Sequence, residues 1–146
     1  MTKASSETLL LDINVLLAIA WPNHQFHAVA RQRLESSSVP WATCALTQLG
    51  FIRLSSNPAI VASPKSPLEA VMMLSSMTED PLHVYYDSLP APAKSHDAFE
   101  GMLGGKQVTD AYLLLLARRN HATFLTFDSR LKALARGKQS VEVLGL

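Results

Sequence analysis

Two short apolar runs in this chain each end in an aspartate and pass straight into a helix-like pattern: Leu9-Leu10-Leu11-Asp12 and Phe124-Leu125-Thr126-Phe127-Asp128. Runs this short suit strands buried on both faces better than buried helices. When the next strand comes only after a helix, neighbouring strands can pair in parallel, because a parallel pair needs a crossover connection that a tight hairpin cannot supply. The expected fold is therefore α/β: three α/β/α layers around a central, mainly parallel sheet.

The remaining segments fit that alternation. After the strand at 9–11, apolar spacing predicts helices over 13–21 and 24–35, the first halted near Pro22, whose ring disfavours a helical residue before it. The Ser36-Ser37-Ser38 breaker precedes a strand at 39–43 that Pro40 weakens, and a helix follows over 46–54. Ser66-Pro67-Leu68-Glu69 has the cap, the first-turn proline and the third-position glutamate of a helix start, so a helix is expected from there to Met77. A strand at 83–86, a helix over about 93–103, a Gly104-Gly105 break, a strong helix over 110–119, a strand at 123–127, a short helix over 130–135 and a closing strand at 141–144 complete the order.

At 146 residues the length suits a single domain, residues 1–146, with a polar tail at 1–8. With 48% hydrophobic and 17% charged residues, the composition is far from that of a disordered chain. The polar start and the interruption of the first apolar run by Asp12 and Asn14 match neither a signal peptide nor a spanning helix, so no membrane association is expected. The lone Cys44 cannot form an internal disulfide, which suits a reducing cytoplasm, and it reads as a small buried side chain. A net charge of +1 neither requires nor forbids a nucleic-acid partner, since phosphate binding depends on locally grouped cations.

Three aspartates carry the chemistry. Asp12 and Asp128 terminate expected parallel strands and Asp110 opens the expected helix 110–119, so all three can converge at the carboxyl edge of the sheet, where open α/β folds place ligands. Carboxylates gathered in one crevice repel one another unless they are protonated or bridged by a cation. Magnesium, or manganese in its place, is the expected ion, because it takes hard oxygen ligands and needs only one or two carboxylates. Taken singly, each aspartate fits a helix cap equally well, and the two roles are compatible. Asn14 and Thr126 are candidate supporting groups, the first through a hydrogen bond to Asp12 or to an ion-bound water, the second through its hydroxyl. Thr47 and Thr109 read as local caps. His24 and His27 have a spacing that could hold zinc but lack companion ligands. The methionine-rich stretch with Met72, Met73 and Met77 reads as core or subunit surface.

Four segments in order, Leu9-Leu10-Leu11-Asp12-Ile13-Asn14-Val15-Leu16-Leu17, Leu46-Thr47-Gln48-Leu49-Gly50-Phe51-Ile52-Arg53, Val108-Thr109-Asp110-Ala111-Tyr112-Leu113 and Leu125-Thr126-Phe127-Asp128, closely resemble the PIN-domain ribonucleases, specifically VapC-type toxins of toxin–antitoxin systems. The resemblance covers nearly the whole chain. It implies a magnesium-dependent endoribonuclease acting on RNA, a homodimer, and a cognate VapB-like antitoxin that blocks the acidic site. Asp12, Asp110 and Asp128 match the family's acidic positions as catalytic and metal-binding residues. Gln48, a further catalytic candidate by the same resemblance, stands where many members have glutamate; it can hydrogen-bond a metal-bound water or position a neighbour but adds no negative charge. With RNA as substrate, Arg53, Lys106, Arg118, Arg119, Arg130 and Lys132 become candidates for phosphate contact.

Two rival readings fit parts of this pattern. A haloacid-dehalogenase-like phosphohydrolase also begins with an apolar strand ending in aspartate, with Asp12 as nucleophile, but its second aspartate would fall on Asn14. A domain that binds RNA or protein without cleaving is the other, suggested by Gln48.

Overall fold

The computed structural model describes residues 7–135 and 140–145. Of the polar stretch expected at 1–8, only Glu7 and Thr8 fall within them, and Thr8 is already tied to the sheet through its carbonyl, which accepts from Thr123 N at 2.9 Å. Five strands form one sheet: β1 (Leu9–Leu11), β2 (Trp41–Cys44), β3 (His83–Tyr86), β4 (Thr123–Thr126) and β5 (Ser140–Val143), in the order β3-β2-β1-β4-β5. Every pairing is parallel, with Leu9 opposite Trp41 on one side and Thr123 on the other. The expected α/β architecture is the observed one.

Alternation along the strands divides the interior into two cores. Leu9 and Leu11 of β1 and Leu125 of β4 face a core shared with the helices α1 (Ile13–Ala20), α2 (His27–Ser37), α3 (Ala45–Ser55) and α4 (Pro67–Met77). Leu10, Ala42, Cys44 and Phe124 face the opposite core, filled by α6 (Val108–Arg119). Residues 111–117 of α6 are all buried, which is why that segment reads as an almost unbroken apolar run. Cys44 is a free, buried thiol within this core.

α1 and α3 approach so closely that a Cβ on Gly50 would stand 2.4 Å from Ile13 Cδ1 and 2.8 Å from its Cγ1. Gly50→Ala must displace Ile13 or separate the helices, and a loss of about 1–3 kcal/mol is expected in urea unfolding, as for other overpacked interiors. Because Ile13 follows Asp12 directly, the same substitution should also disturb the site described below.

Several boundaries differ from the sequence expectation for local reasons. α2 begins at His27 rather than His24, because His24 Nδ1 accepts a hydrogen bond from Phe26 N at 3.0 Å and holds the chain in a turn. The helix expected over 93–103 is instead a 3₁₀ turn (Pro92–Lys94) and a single turn, α5 (His96–Phe99). Ser95 Oγ turns back to donate to Ala91 O at 2.8 Å, and Gly101 at φ 82° follows α5 closely. α6 begins two residues before Asp110, and α7 (Leu131–Leu134) is shorter than expected. The Ser66 start of α4 is as expected: Ser66 Oγ accepts from Glu69 N and Glu69 Oε1 accepts from Ser66 N. On this helix Ala70 and Leu74 are buried, Met73 and Met77 pack against the first core, and Leu68, Val71 and Met72 are exposed.

Candidate active site

The connection leaving β1 leads to β2 on one side, while the connection leaving β4 leads to β5 on the other, so a crevice opens between their carboxyl ends. Asp12 and Asp128 stand there because each lies at or just past the end of one of these strands. Asp110 joins them from the first turn of α6. All three line one open cleft of about 610 Å³, together with Asn14, Arg53, Lys106, Thr109, Thr126, Phe127 and Arg130.

Asp12 is the most constrained of the three. It caps α1, with Oδ1 accepting from Ile13 N at 2.8 Å, while Oδ2 accepts from the Thr126 hydroxyl at 2.6 Å. Its backbone N donates to Leu125 O across the β1/β4 pair. Burial raises its pKa, the two hydrogen bonds oppose that rise, and the charge on Asp128 adds to it. Capping and membership of the acidic group therefore coexist in one side chain. Thr126, fully buried, also accepts from Asp128 N at 3.1 Å, so one hydroxyl fixes both strand ends. Should Asp12 hold a divalent ion, as proposed below, Thr126→Val lowers the affinity for it by about 10–100-fold, the usual cost of losing a group that orients a ligand. Calorimetric titration with MnCl2 measures it, with an unchanged affinity as the contrary result.

Burial, followed by the charges of Asp12 and Asp128, pushes Asp110 from 3.8 up to about 6, with Arg130 opposing. Asp128 is shifted the other way, chiefly by Arg130, whose Nε and Nη2 donate to Oδ1 and Oδ2 at 2.9 and 2.8 Å. Among the described residues no three His, Cys, Asp or Glu side chains form a ready-made metal cage. Asp12 and Asp110 nevertheless fit a magnesium-like ion, since both are oxygen donors whose charged forms are disfavoured and such an ion uses one or two carboxylates.

Of the candidate phosphate contacts, Arg53, Lys106 and Arg130 line the cleft. Arg118 lines a separate depression with Glu7 and Ser140, while Arg119 and Lys132 are not among the residues lining the cleft. Gln48 is not among the cleft-lining residues either: its Nε2 donates to Thr43 Oγ1 at 3.0 Å, and that hydroxyl in turn bonds His83 Nε2 at 2.7 Å. An amide can donate where a carboxylate cannot, which explains how Gln48 engages this inward partner. His24 and His27 make local contacts, the first with Phe26 N and the second with Ala18 O.

Phe127 was not anticipated. It lines the cleft beside Asp128 and packs on Phe26 and His24, with ring centroids at 4.9 and 6.3 Å. In the sequence it is one more apolar residue at a strand end. Only its place next to Asp128 could have marked it. Thr109, read as a local cap, also lines the cleft.

With an all-parallel sheet and acidic groups at its switch point, the chain belongs to the PIN domain family, whose model matches residues 9–137. Within that family it is similar to VapC ribonucleases of Mycobacterium tuberculosis. It is 36% identical to ribonuclease VapC39 over 126 residues, covering 85% of this chain and 91% of that protein, in strain H37Rv. It is 38% identical to ribonuclease VapC44 over 128 residues, covering 86% and 89%. Among solved structures it superposes on a chain of VapBC2 from Rickettsia felis bound to a DNA fragment from its promoter, with a TM-score of 0.63 at 14% identity, covering 94% of this chain and 99% of that one. That last likeness is one of fold. The family assignment favours the nuclease reading of the opening strand and aspartate over the phosphohydrolase one.

Proposed function

We propose that the protein is the toxin of a VapBC-type toxin–antitoxin pair, a divalent-metal-dependent endoribonuclease that hydrolyses RNA phosphodiester bonds and so inhibits translation and growth. The observation that carries this reading is the meeting of Asp12, Asp110 and Asp128 in one open cleft whose wall also holds Arg53, Lys106 and Arg130. Acidic groups for an ion and basic groups for a phosphate backbone stand side by side, as a nuclease requires. The VapC ribonucleases it resembles support the same substrate class.

Asp12 and Asp110 hold the ion, with magnesium expected and manganese able to replace it. When bound, it supplies charge neutralisation at the scissile phosphate and activation of a water. Thr126 fixes the Asp12 carboxylate, Asn14 would hydrogen-bond water in the cleft, and Asp128 would complete the acidic group. Arg53 and Lys106 receive the phosphates on either side of the bond that breaks. Gln48 acts at a distance, by holding Thr43 of β2 through its amide. The test is cleavage of RNA by purified protein: activity should vanish with EDTA and return with excess MgCl2 or MnCl2. Activity that persists in EDTA would count against a metal-dependent mechanism.

The pH dependence follows from Asp110. Its folded value lies above its unfolded one, so the native state holds this proton more tightly, and the metal-free protein loses stability as pH rises from about 4 through 6. A divalent ion competes with the same proton, so its apparent affinity should weaken about tenfold per unit below pH 6. Thermal unfolding with and without MnCl2 should therefore show a large metal-induced rise in Tm at pH 7.5 and little at pH 5. Equal rises at both would remove Asp110 from the ion.

A VapB-type antitoxin is the expected protein partner, in line with the fold shared with VapBC2. A homodimer is supported by the exposed Leu68, Val71 and Met72 on α4, whose i, i+3, i+4 spacing puts them on one face. Light scattering of the purified toxin tests it. Among the described residues no helix is long and apolar enough to cross a membrane. A cytoplasmic site of action goes with an RNA substrate and with the single reduced thiol.

A further inference from the structure

Asp128 is already occupied by a cation belonging to the chain itself. The turn after β4 brings Arg130 back over it: Arg130 N and Nε both donate to Oδ1, at 3.0 and 2.9 Å, and Nη2 donates to Oδ2 at 2.8 Å. While the guanidinium covers both oxygens, Asp128 is poorly placed to serve a second cation, in keeping with the lack of a three-ligand cage among the described residues. The Arg130 side chain is 71% exposed, against 28% for Asp128. An ion pair this open to solvent is screened by water and by salt, so the guanidinium can trade one oxyanion for another. A guanidinium also binds a phosphate through the same two-pronged geometry that it uses on a carboxylate. Arg130 lines the cleft wall alongside Arg53 and Lys106, where a phosphodiester would lie.

We infer that Arg130 is an exchangeable cover on Asp128. With the cleft empty it keeps Asp128 from the divalent ion. An RNA phosphate oxygen draws the guanidinium away, and Asp128 is released to join Asp12 and Asp110. Metal and substrate then bind with positive coupling, each tightening the other by the same factor. The full acidic group is assembled only when a phosphodiester is present, and Arg130 acts as a positioning residue that senses the substrate. This inference rests on the metal-dependent ribonuclease reading above.

The test measures ion binding, not cleavage. Mn2+ is titrated into the metal-free full-length protein and free Mn2+ is followed by electron paramagnetic resonance, with and without dimethyl phosphate as a stable phosphodiester, at constant ionic strength. In the wild-type protein, dimethyl phosphate should tighten Mn2+ binding by about fivefold or more, the lower end of ordinary coupling between sites. Arg130→Ala should bind Mn2+ at least about fivefold more tightly than wild type without the diester and show no further response to it. Arg130→Lys, a point charge that cannot cover both oxygens, should fall between the two and serves if the alanine variant is unstable. An Arg130 variant that binds Mn2+ no more tightly than wild type, or a wild-type affinity indifferent to the diester, overturns the inference. Neither result touches the ribonuclease reading, which fails separately if wild-type protein with saturating Mn2+ cleaves no RNA.

Discussion

Asp12→Asn is expected to fold normally and to cleave RNA at least about a hundredfold more slowly than the wild-type protein, because losing an ion's charge stabilisation at the scissile phosphate is a matter of several kcal/mol. The fold survives because asparagine keeps an oxygen for Ile13 N, and its amide can donate to Thr126 Oγ1 where the carboxylate accepted. What changes is charge. Burial still raises the pKa of Asp110, but the Asp12 charge that adds to it is gone, so the metal-free variant should be more stable than wild type near neutral pH. Its Tm should respond little to MnCl2. Gel analysis of cleavage and thermal unfolding, run on the same preparation, separate the two effects. A variant that keeps most of the wild-type rate would show that Asp12 is only the cap of α1.

The largest effect on stability is expected from Phe124→Ala, at about 3–5 kcal/mol. Phe124 is fully buried in β4, between Leu10 and α6 on one side of the sheet. Truncation leaves a cavity beside a helix that cannot move inward without breaking its own packing. Domains of this kind hold about 5–15 kcal/mol in total, so the variant should unfold at a much lower urea concentration with an unchanged slope. The functional consequence follows from position: β4 carries Thr126 and leads into Asp128, so a loosened strand blurs the acidic group as well. A loss under about 1 kcal/mol would mean that this core collapses around the gap.

The fold was readable where local and tertiary demands agree. Leu9-Leu10-Leu11 and Phe124-Leu125-Thr126 are buried on both faces, and short apolar runs between helices have few other uses. The capping pair of Ser66 and Glu69 is a local device, and the structure keeps it. The helix over 93–103 failed because a side chain, Ser95, competes for the backbone and Gly101 offers a left-handed exit, details that apolar spacing does not register. The placement of Asp12 and Asp128 followed from strand order, since anything at the carboxyl end of β1 or β4 borders the same crevice, and that of Asp110 from its position at the start of the helix that leads into β4. The site's inner wiring did not. That Thr126 bonds Asp12 and Asp128 together, that Arg130 covers Asp128, and that Gln48 turns to Thr43 are choices between hydrogen-bond partners. Such choices are decided by a few tenths of an ångström after the chain has packed. Phe127 was hidden for a simpler reason: its neighbours His24 and Phe26 are about a hundred residues away in sequence.

Anomalous diffraction from crystals grown or soaked with MnCl2 tests most directly the proposal that Asp12 and Asp110 share one ion. The expected result is a peak in the cleft with carboxylate oxygens of both Asp12 and Asp110 about 2.1 Å away, as for a magnesium-like ion. A saturating soak that leaves the cleft without a peak, or a peak touching neither of these two aspartates, would contradict it.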